Sequence, residues 1–136
     1  ASDVYKRQQG GLLIITVPND FNTLQVTAQK LLNMQQWWVS PPAHLNYFSR
    51  ASLQSLLAGC HFQNELAIAS FPLEMFLLMG DNYLNNRNIG KACHQRRVQF
   101  ELNLRKLGEE QTLQQFYRSL ADANLGRQIT CYAKAI

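Results

Sequence analysis

The chain of 136 residues carries a formal net charge of +4 at pH 7 and is 46% hydrophobic, which is enough for one domain with a buried core. Its basic residues are scattered apart from short pairs, and this distribution excludes the extended basic surface of a nucleic-acid-binding domain. Its longest apolar runs are too short to span a bilayer and its three cysteines include no C-x-x-C pair, so we expect a cytoplasmic protein with no membrane partner, disulfide framework or metal site.

The first eight residues stand apart from the rest of the chain. They show no apolar periodicity, and the letters SDVYKRQ are typical of a translated adaptor. We therefore predict that residues 1–8 are a non-native or disordered segment and that the folded part is residues 9–136.

Leu12 to Val17 forms the first predicted strand. Its continuous apolar run is typical of a central strand of a parallel sheet with helices on both faces, and Pro18 ends it because proline has no N–H for the ladder. Asn19 and Asp20 follow at the carboxyl end of the strand, where open α/β sheets bind ligands. The same two residues also favour turns for local hydrogen-bonding reasons, so a purely structural role stays open.

A helix is predicted next, over residues 22–36. Apolar residues recur there at helical spacing, and Asn22 or Thr23 is suited to be the N-cap. A Ser-Pro-Pro sequence then rules out continued helix, so residues 40–47 are predicted to form an irregular loop.

The middle of the chain is predicted to form a helix, a strand and a short helix. Ser49 is suited to cap the first of these helices, and Gly59 to end it. A strand over residues 62–71 follows and ends at Pro72. The helix-forming apolar residues 73–79 favour a short helix.

Two further helices and a last strand complete the predicted elements, over residues 89–107, 112–123 and 128–135. The longer helix offers several apolar side chains for burial: Ala92, Cys93, Val98, Phe100, Leu102, Leu104 and Leu107. The alternation of strands and helices predicts an α/β fold.

Two segments resemble a known enzyme family. GGLLIITVPND at residues 10–20 and PPAHLNYFS at residues 41–49 are similar to the second half of class I S-adenosylmethionine-dependent methyltransferases. FPLEMFLLMGDNYL and NLGRQITCYAKA resemble a subgroup that modifies saccharides and other small molecules. The resemblance implies the C-terminal part of a Rossmann-like fold: three strands, the last antiparallel between the other two, four to five helices, and a helical insertion at about residues 73–124.

The resemblance also implies a function. The protein would be a transferase using S-adenosyl-L-methionine as cofactor and a small-molecule methyl acceptor, such as a saccharide or nucleotide-sugar. The main cofactor site and the N-terminal half of the domain would lie upstream, so this part alone would supply the acceptor side, be inactive and tend to associate with itself. The alternative is a non-catalytic α/β module that binds a partner chain.

His44 is the residue in these motifs best suited to chemistry. The resemblance places it as a base or an acceptor-orienting group, and a neutral imidazole can accept a proton near pH 7. Holding the proline-rich loop in shape is the structural alternative.

The remaining candidates surround the same predicted site. Pro18 is at most a peripheral cofactor contact, and Arg96 or Arg97 could meet an anionic acceptor, although a solvated helix face explains these arginines better. Aromatic residues beside the loop could form a wall of the acceptor pocket, but such residues more often belong to the core, which is the role that we expect of Phe48 and at least one tryptophan. The predicted substrate-binding residues are Asn19, Asp20, Trp38, Tyr47 and Tyr83.

Overall fold

The computed structural model describes residues 8–136, so the expectation for residues 1–8 lies outside the described residues except at Gln8. Three strands and five helices follow one another along this part of the chain. In order they are β1 (Leu12–Pro18), α1 (Thr23–Leu32), α2 (Arg50–Gly59), β2 (Phe62–Ala69), α3 (Glu74–Leu78), α4 (Arg87–Lys106), α5 (Glu110–Asp122) and β3 (Gln128–Ala135). Each predicted element is present, with its ends displaced by a few residues.

The strands form one sheet in the order β1-β3-β2. β3 is antiparallel to both neighbours, so β1 and β2 run in the same direction on either side of it. Pro18 lies opposite Gln128 and Ala69 lies opposite Ile129. The predicted strand order is therefore confirmed, and the carboxyl ends of β1 and β2 meet the start of β3 at one edge.

The hydrophobic core lies on one face of this sheet. Side chains from α2 and α5 pack there against alternate residues of β2 and β3, and the inward side chains of β1 join them at its margin. The buried members are Leu53, Leu57, Phe62, Ala67, Ala69, Ala121, Ile129, Cys131 and Ala133.

The other face of β1 is open to solvent in the described residues. Leu13 and Ile15 pack against the core, whereas the alternating Leu12 and Ile14 are 64% and 56% exposed. The prediction of a central strand in a parallel sheet with helices on both faces is therefore wrong for the described residues, where β1 is an edge strand antiparallel to β3. The apolar residues that prompted it are present, but nothing in residues 8–136 covers them.

The long helix α4 buries less than its composition predicts. Cys93 is its buried residue, whereas Phe100, Leu102 and Leu107 are 38%, 40% and 80% exposed. The expectation that these three would be buried is wrong. The apolar residues of this segment recur every second position, and that spacing distributes them around a helix instead of along one stripe.

The ends of α2 follow local capping chemistry. Ser49 and Ser52 form a reciprocal capping box, which confirms the predicted N-cap. At the other end Gly59 is still helical, and His61 adopts the left-handed conformation with φ of 61°. The His61 N–H donates to the Ala58 carbonyl at 3.1 Å, so its backbone satisfies a helix-end carbonyl.

Candidate functional site

The carboxyl end of β1 is joined directly to the PPAHLNYFS loop. Asn19 and Phe48 form an isolated parallel bridge, and the Asp20 N–H donates to the Phe48 carbonyl at 2.9 Å. The two segments that prompted the family resemblance are therefore neighbours in space. This contact fixes the loop over the edge of the sheet where β1 ends.

Hydrogen bonds within the loop determine where His44 lies. The Ser40 N–H donates to the Tyr47 hydroxyl at 3.0 Å, and the His44 N–H donates to the Ser40 carbonyl at 3.0 Å. The loop is closed on itself by these contacts, and His44 stays exposed.

Aromatic rings form one wall of the site. The Phe21 ring lies edge-on to Trp38 and Tyr47, with centroids 5.7 and 6.0 Å apart. Phe21 has a φ of 58°, a left-handed conformation that costs energy in a bulky residue, and its N–H donates to Gln25 Oε1 at 2.7 Å. The buried Trp38 indole N–H has no hydrogen-bond partner among residues 8–136.

These residues surround a pocket of about 200 Å³, which we call the edge pocket. Five of the seven sequence-predicted site residues contribute to it, while Asn19 and Tyr83 lie outside its lining. The lining residues are Pro18, Asp20, Gln25, Trp38, His44, Tyr47, Arg127 and Gln128.

Asn19 is directed away from this pocket. Its Nδ2 donates to the carbonyls of Gly126 at 2.8 Å and Asn124 at 3.3 Å, and the residue is 1% exposed. The backbone carbonyl of Asn19 accepts a hydrogen bond from Asn22 Nδ2 at 2.8 Å. The Asn19 side chain thus holds the turn that leads into β3, in the structural role that the sequence left open.

The edge pocket contains a carboxyl group with a perturbed pKa. Asp20 is 8% exposed, and this burial raises its pKa above the ordinary value of 3.8. The nearby charges of His44 and Arg127 act in the opposite direction without cancelling the rise. A carboxyl and an imidazole in one pocket are suited to proton transfer.

A second carboxyl group lies behind Arg127. Glu74 is fully buried, its Oε1 is 3.4 Å from Arg127 Nη1, and its Oε2 has no hydrogen-bond partner among the described residues. Burial raises the pKa of Glu74; Arg127 opposes the rise and Asp20 adds to it. Tyr83 lies close to Glu74, and burial together with the Glu74 charge raises the pKa of Tyr83 to about 12. Arg127 is near the Tyr83 hydroxyl, but the two groups do not have ordinary hydrogen-bond geometry.

The sequence analysis missed four residues of this edge, although two of them carried a usable signal. Glu74 is the lone charge in the apolar run PLEMFLLM, and such a residue is seldom buried without a partner. Arg127 immediately precedes β3, whose predicted position between the other strands already puts its start beside the end of β1. Gln25 and Gln128 gave no such signal.

The described residues do not by themselves fit S-adenosylmethionine. The glycine pair at Gly10 and Gly11 precedes β1, whereas cofactor-binding glycine turns follow their strand. The edge pocket, at about 200 Å³, is also below the roughly 300–1,000 Å³ of typical ligand pockets. A cofactor of that size needs contacts from outside these residues.

Residues 8–136 contain neither a candidate membrane-spanning helix nor a candidate metal site. No helix within residues 8–136 has the length and apolar character needed to cross a membrane. Nor does this part of the chain bring three or more His, Cys, Asp or Glu side chains together as a metal site requires. Cys60, Cys93 and Cys131 are free thiols.

Comparison with known proteins assigns no family. The fold and the edge pocket therefore rest on the residues and contacts described above, and the methyltransferase resemblance stays a hypothesis. No family model matches the sequence, and no curated protein and no solved structure matches the chain.

Proposed function

We propose that residues 9–136 are the C-terminal part of a cytoplasmic class I S-adenosylmethionine-dependent methyltransferase and supply the methyl-acceptor side of its site. The observation that supports this most is the strand order, with β3 antiparallel between two strands that run in parallel. That arrangement is the one the family resemblance requires of its last three strands. The edge pocket lies at the carboxyl ends of those parallel strands, where ligands of open α/β sheets bind.

The residues of the edge pocket would each act on the acceptor. His44 accepts the proton that a hydroxyl acceptor must lose, and the neighbouring Asp20 carboxylate stabilises the imidazolium that results. Trp38 and Tyr47 form the apolar wall that orients the acceptor. S-adenosylmethionine would supply the methyl group from a site outside these residues.

The test is a methyl-transfer assay on the natural protein with its upstream residues. Labelled S-adenosylmethionine is supplied with panels of saccharides and nucleotide-sugars, and transfer is measured for wild type and His44→Ala. We expect His44→Ala to lower kcat by about 10²- to 10⁴-fold, which is the usual contribution of a general base.

The matched control is His61→Asn. His61 is exposed, it is not among the residues that line the edge pocket, and asparagine tolerates the left-handed conformation there. This variant should keep wild-type activity. Absence of methyl transfer from every acceptor, or equal rates for His44→Ala and wild type, would contradict the proposal.

One observation favours a second candidate function, a non-catalytic module that binds a partner chain. Leu12 and Ile14 form an exposed apolar strip on an edge strand, which is a surface suited to association. The two candidates differ in cofactor binding. A natural protein that binds a partner through β1 but does not bind S-adenosylhomocysteine would favour the module.

A further inference from the structure

A second pocket adjoins the edge pocket and is rich in basic side chains. It has a volume of about 280 Å³, and we call it the basic pocket. Arg127 and Gln128 line both pockets, so the two pockets are neighbours at the start of β3. The lining residues are Ser70, Phe71, Leu73, His94, Arg97, Arg127 and Gln128.

Both arginines keep hydrogen-bond donors for a ligand. Arg97 Nη1 donates to Glu101 Oε1 at 2.6 Å, which leaves most of the five N–H groups of this guanidinium uncommitted to that carboxylate. Arg127 approaches Glu74 at only 3.4 Å and its side chain is 43% exposed. Neither guanidinium is therefore enclosed by the carboxylate beside it.

The neighbouring carboxylates compensate these positive charges incompletely. Burial opposes the charged form of Glu74 and raises its pKa, so this carboxyl compensates the charge of Arg127 only in part, together with Asp20. Glu101 also accepts a hydrogen bond from the Tyr117 hydroxyl, which spreads the negative charge that Arg97 faces. Two guanidinium groups and the His94 imidazole thus surround one pocket.

We propose that the basic pocket binds a phosphate group of the methyl acceptor, so that the substrate is a phosphorylated small molecule whose reacting hydroxyl lies in the edge pocket. A phosphate carries up to two negative charges and its oxygens match two guanidinium forks, whereas a carboxylate needs one. The basic pocket, at about 280 Å³, is several times larger than the roughly 30 Å³ that one molecule occupies in liquid water, so a phosphate group fits in it. That the bound molecule is a methyl acceptor with its reacting hydroxyl in the edge pocket rests on the proposed methyl transfer, whereas phosphate binding in the basic pocket does not.

The test measures anion binding by this chain without any cofactor. Inorganic pyrophosphate, uridine diphosphate, glucuronate and methyl glucoside are titrated separately and followed by calorimetry and by amide chemical shifts. We expect pyrophosphate and uridine diphosphate to bind and to shift the amides of Ser70 and Gln128. Glucuronate and methyl glucoside should bind at least about tenfold more weakly, because they lack phosphate.

Charge-removing variants then locate the site. Arg127→Gln and Arg97→Gln should each weaken diphosphate binding at least about tenfold. Arg87→Gln is the matched control, since it removes the same charge from an exposed position outside both pockets and should bind as wild type does. Retained unfolding midpoints show that the variants are folded, and Arg97→Gln serves if Arg127→Gln fails to fold.

Three results would overturn the inference: no diphosphate binding, tighter binding of glucuronate than of diphosphate, or equal loss of affinity in Arg87→Gln. Because no cofactor enters this experiment, such a failure leaves the proposed methyl transfer standing. Conversely, diphosphate binding that depends on Arg127 and Arg97 would survive a failure of the methyl-transfer assay.

Discussion

Glu74 is a side chain whose surroundings oppose its charged form. It is fully buried, its partner Arg127 lies at 3.4 Å, and one of its oxygens has no partner among the described residues. Ionising such a group costs free energy that this single long contact offsets only in part. Its raised pKa makes stability depend on pH.

We expect the wild-type protein to lose stability as pH rises and Glu74 ionises, and we expect Glu74→Gln to lack this loss. The folded protein holds the Glu74 proton more tightly than the unfolded chain, whose carboxyl titrates near 4.5, so the free energy of unfolding falls with rising pH from about 4.5 to the raised folded pKa. Glutamine does not titrate, and Asp20, which acts in the same direction, is common to both proteins.

Urea unfolding of both proteins between pH 4 and pH 8 provides the measurement. The variant should gain stability relative to wild type as pH rises through that window. Below about pH 4.5 the difference should stay constant, which supplies an internal reference. Curves that run parallel across the whole range would show that Glu74 ionises freely in the folded state.

At the scale of elements, the turn before β3 packs tightly against the end of β2. A Cβ on Gly126 would lie 2.2 Å from Ala69 Cβ and 2.7 Å from the Ser70 carbonyl oxygen. Gly126 also presents its carbonyl to Asn19. Tight packing at this one residue thus aligns the ends of all three strands beneath the edge pocket.

We expect Gly126→Ala to lower the free energy of unfolding by about 1–3 kcal/mol, because the atoms that an added Cβ would meet include backbone that must move. The matched control is Gly59→Ala in α2, where nothing lies within 4 Å of an added Cβ and helix propensity should give a gain of up to about 1 kcal/mol. Denaturant midpoints of the two variants check this. A neutral Gly126→Ala would mean that the strand ends are loosely packed.

The open strip on β1 should drive self-association. We expect the double variant Leu12→Thr and Ile14→Thr to shift the chain from dimers or larger species to monomer, because threonine keeps β-propensity and removes the exposed apolar area. Sedimentation equilibrium measures the change. Leu107→Thr, at a position 80% exposed after α4, is the control and should leave association unchanged. Wild type that stays monomeric at high concentration would contradict the expectation.

At the scale of the whole molecule, local sequence signals account for the helices and strands, whereas long-range contacts assemble the site. Ser49 as an N-cap, the helical period of apolar residues in 112–123 and the β-branched run of β1 each predict their element, because capping, periodicity and propensity act over a few residues. The exposure of Phe100 could not be predicted in the same way, because it depends on which neighbours meet each helix face.

The edge pocket was predictable only in part. The motif residues His44 and Tyr47 and the strand-end residue Asp20 carried their own signals, and the structure brings them together. Arg127 and Glu74 join them from positions more than fifty residues apart, with a separation of 53 along the chain. Their contact depends on how α3 packs beside the start of β3, and local sequence signals do not specify that long-range packing.

The central claim is that this chain is the acceptor half of a methyltransferase domain, and the natural coding sequence upstream of Gln9, in place of the adaptor-like residues 1–8, tests it most directly. We expect, in frame, an apolar strand followed by a G-x-G-type turn and a helix, with acidic residues after the next strand to hold the cofactor ribose. An upstream reading frame without such a strand, turn and helix would contradict it.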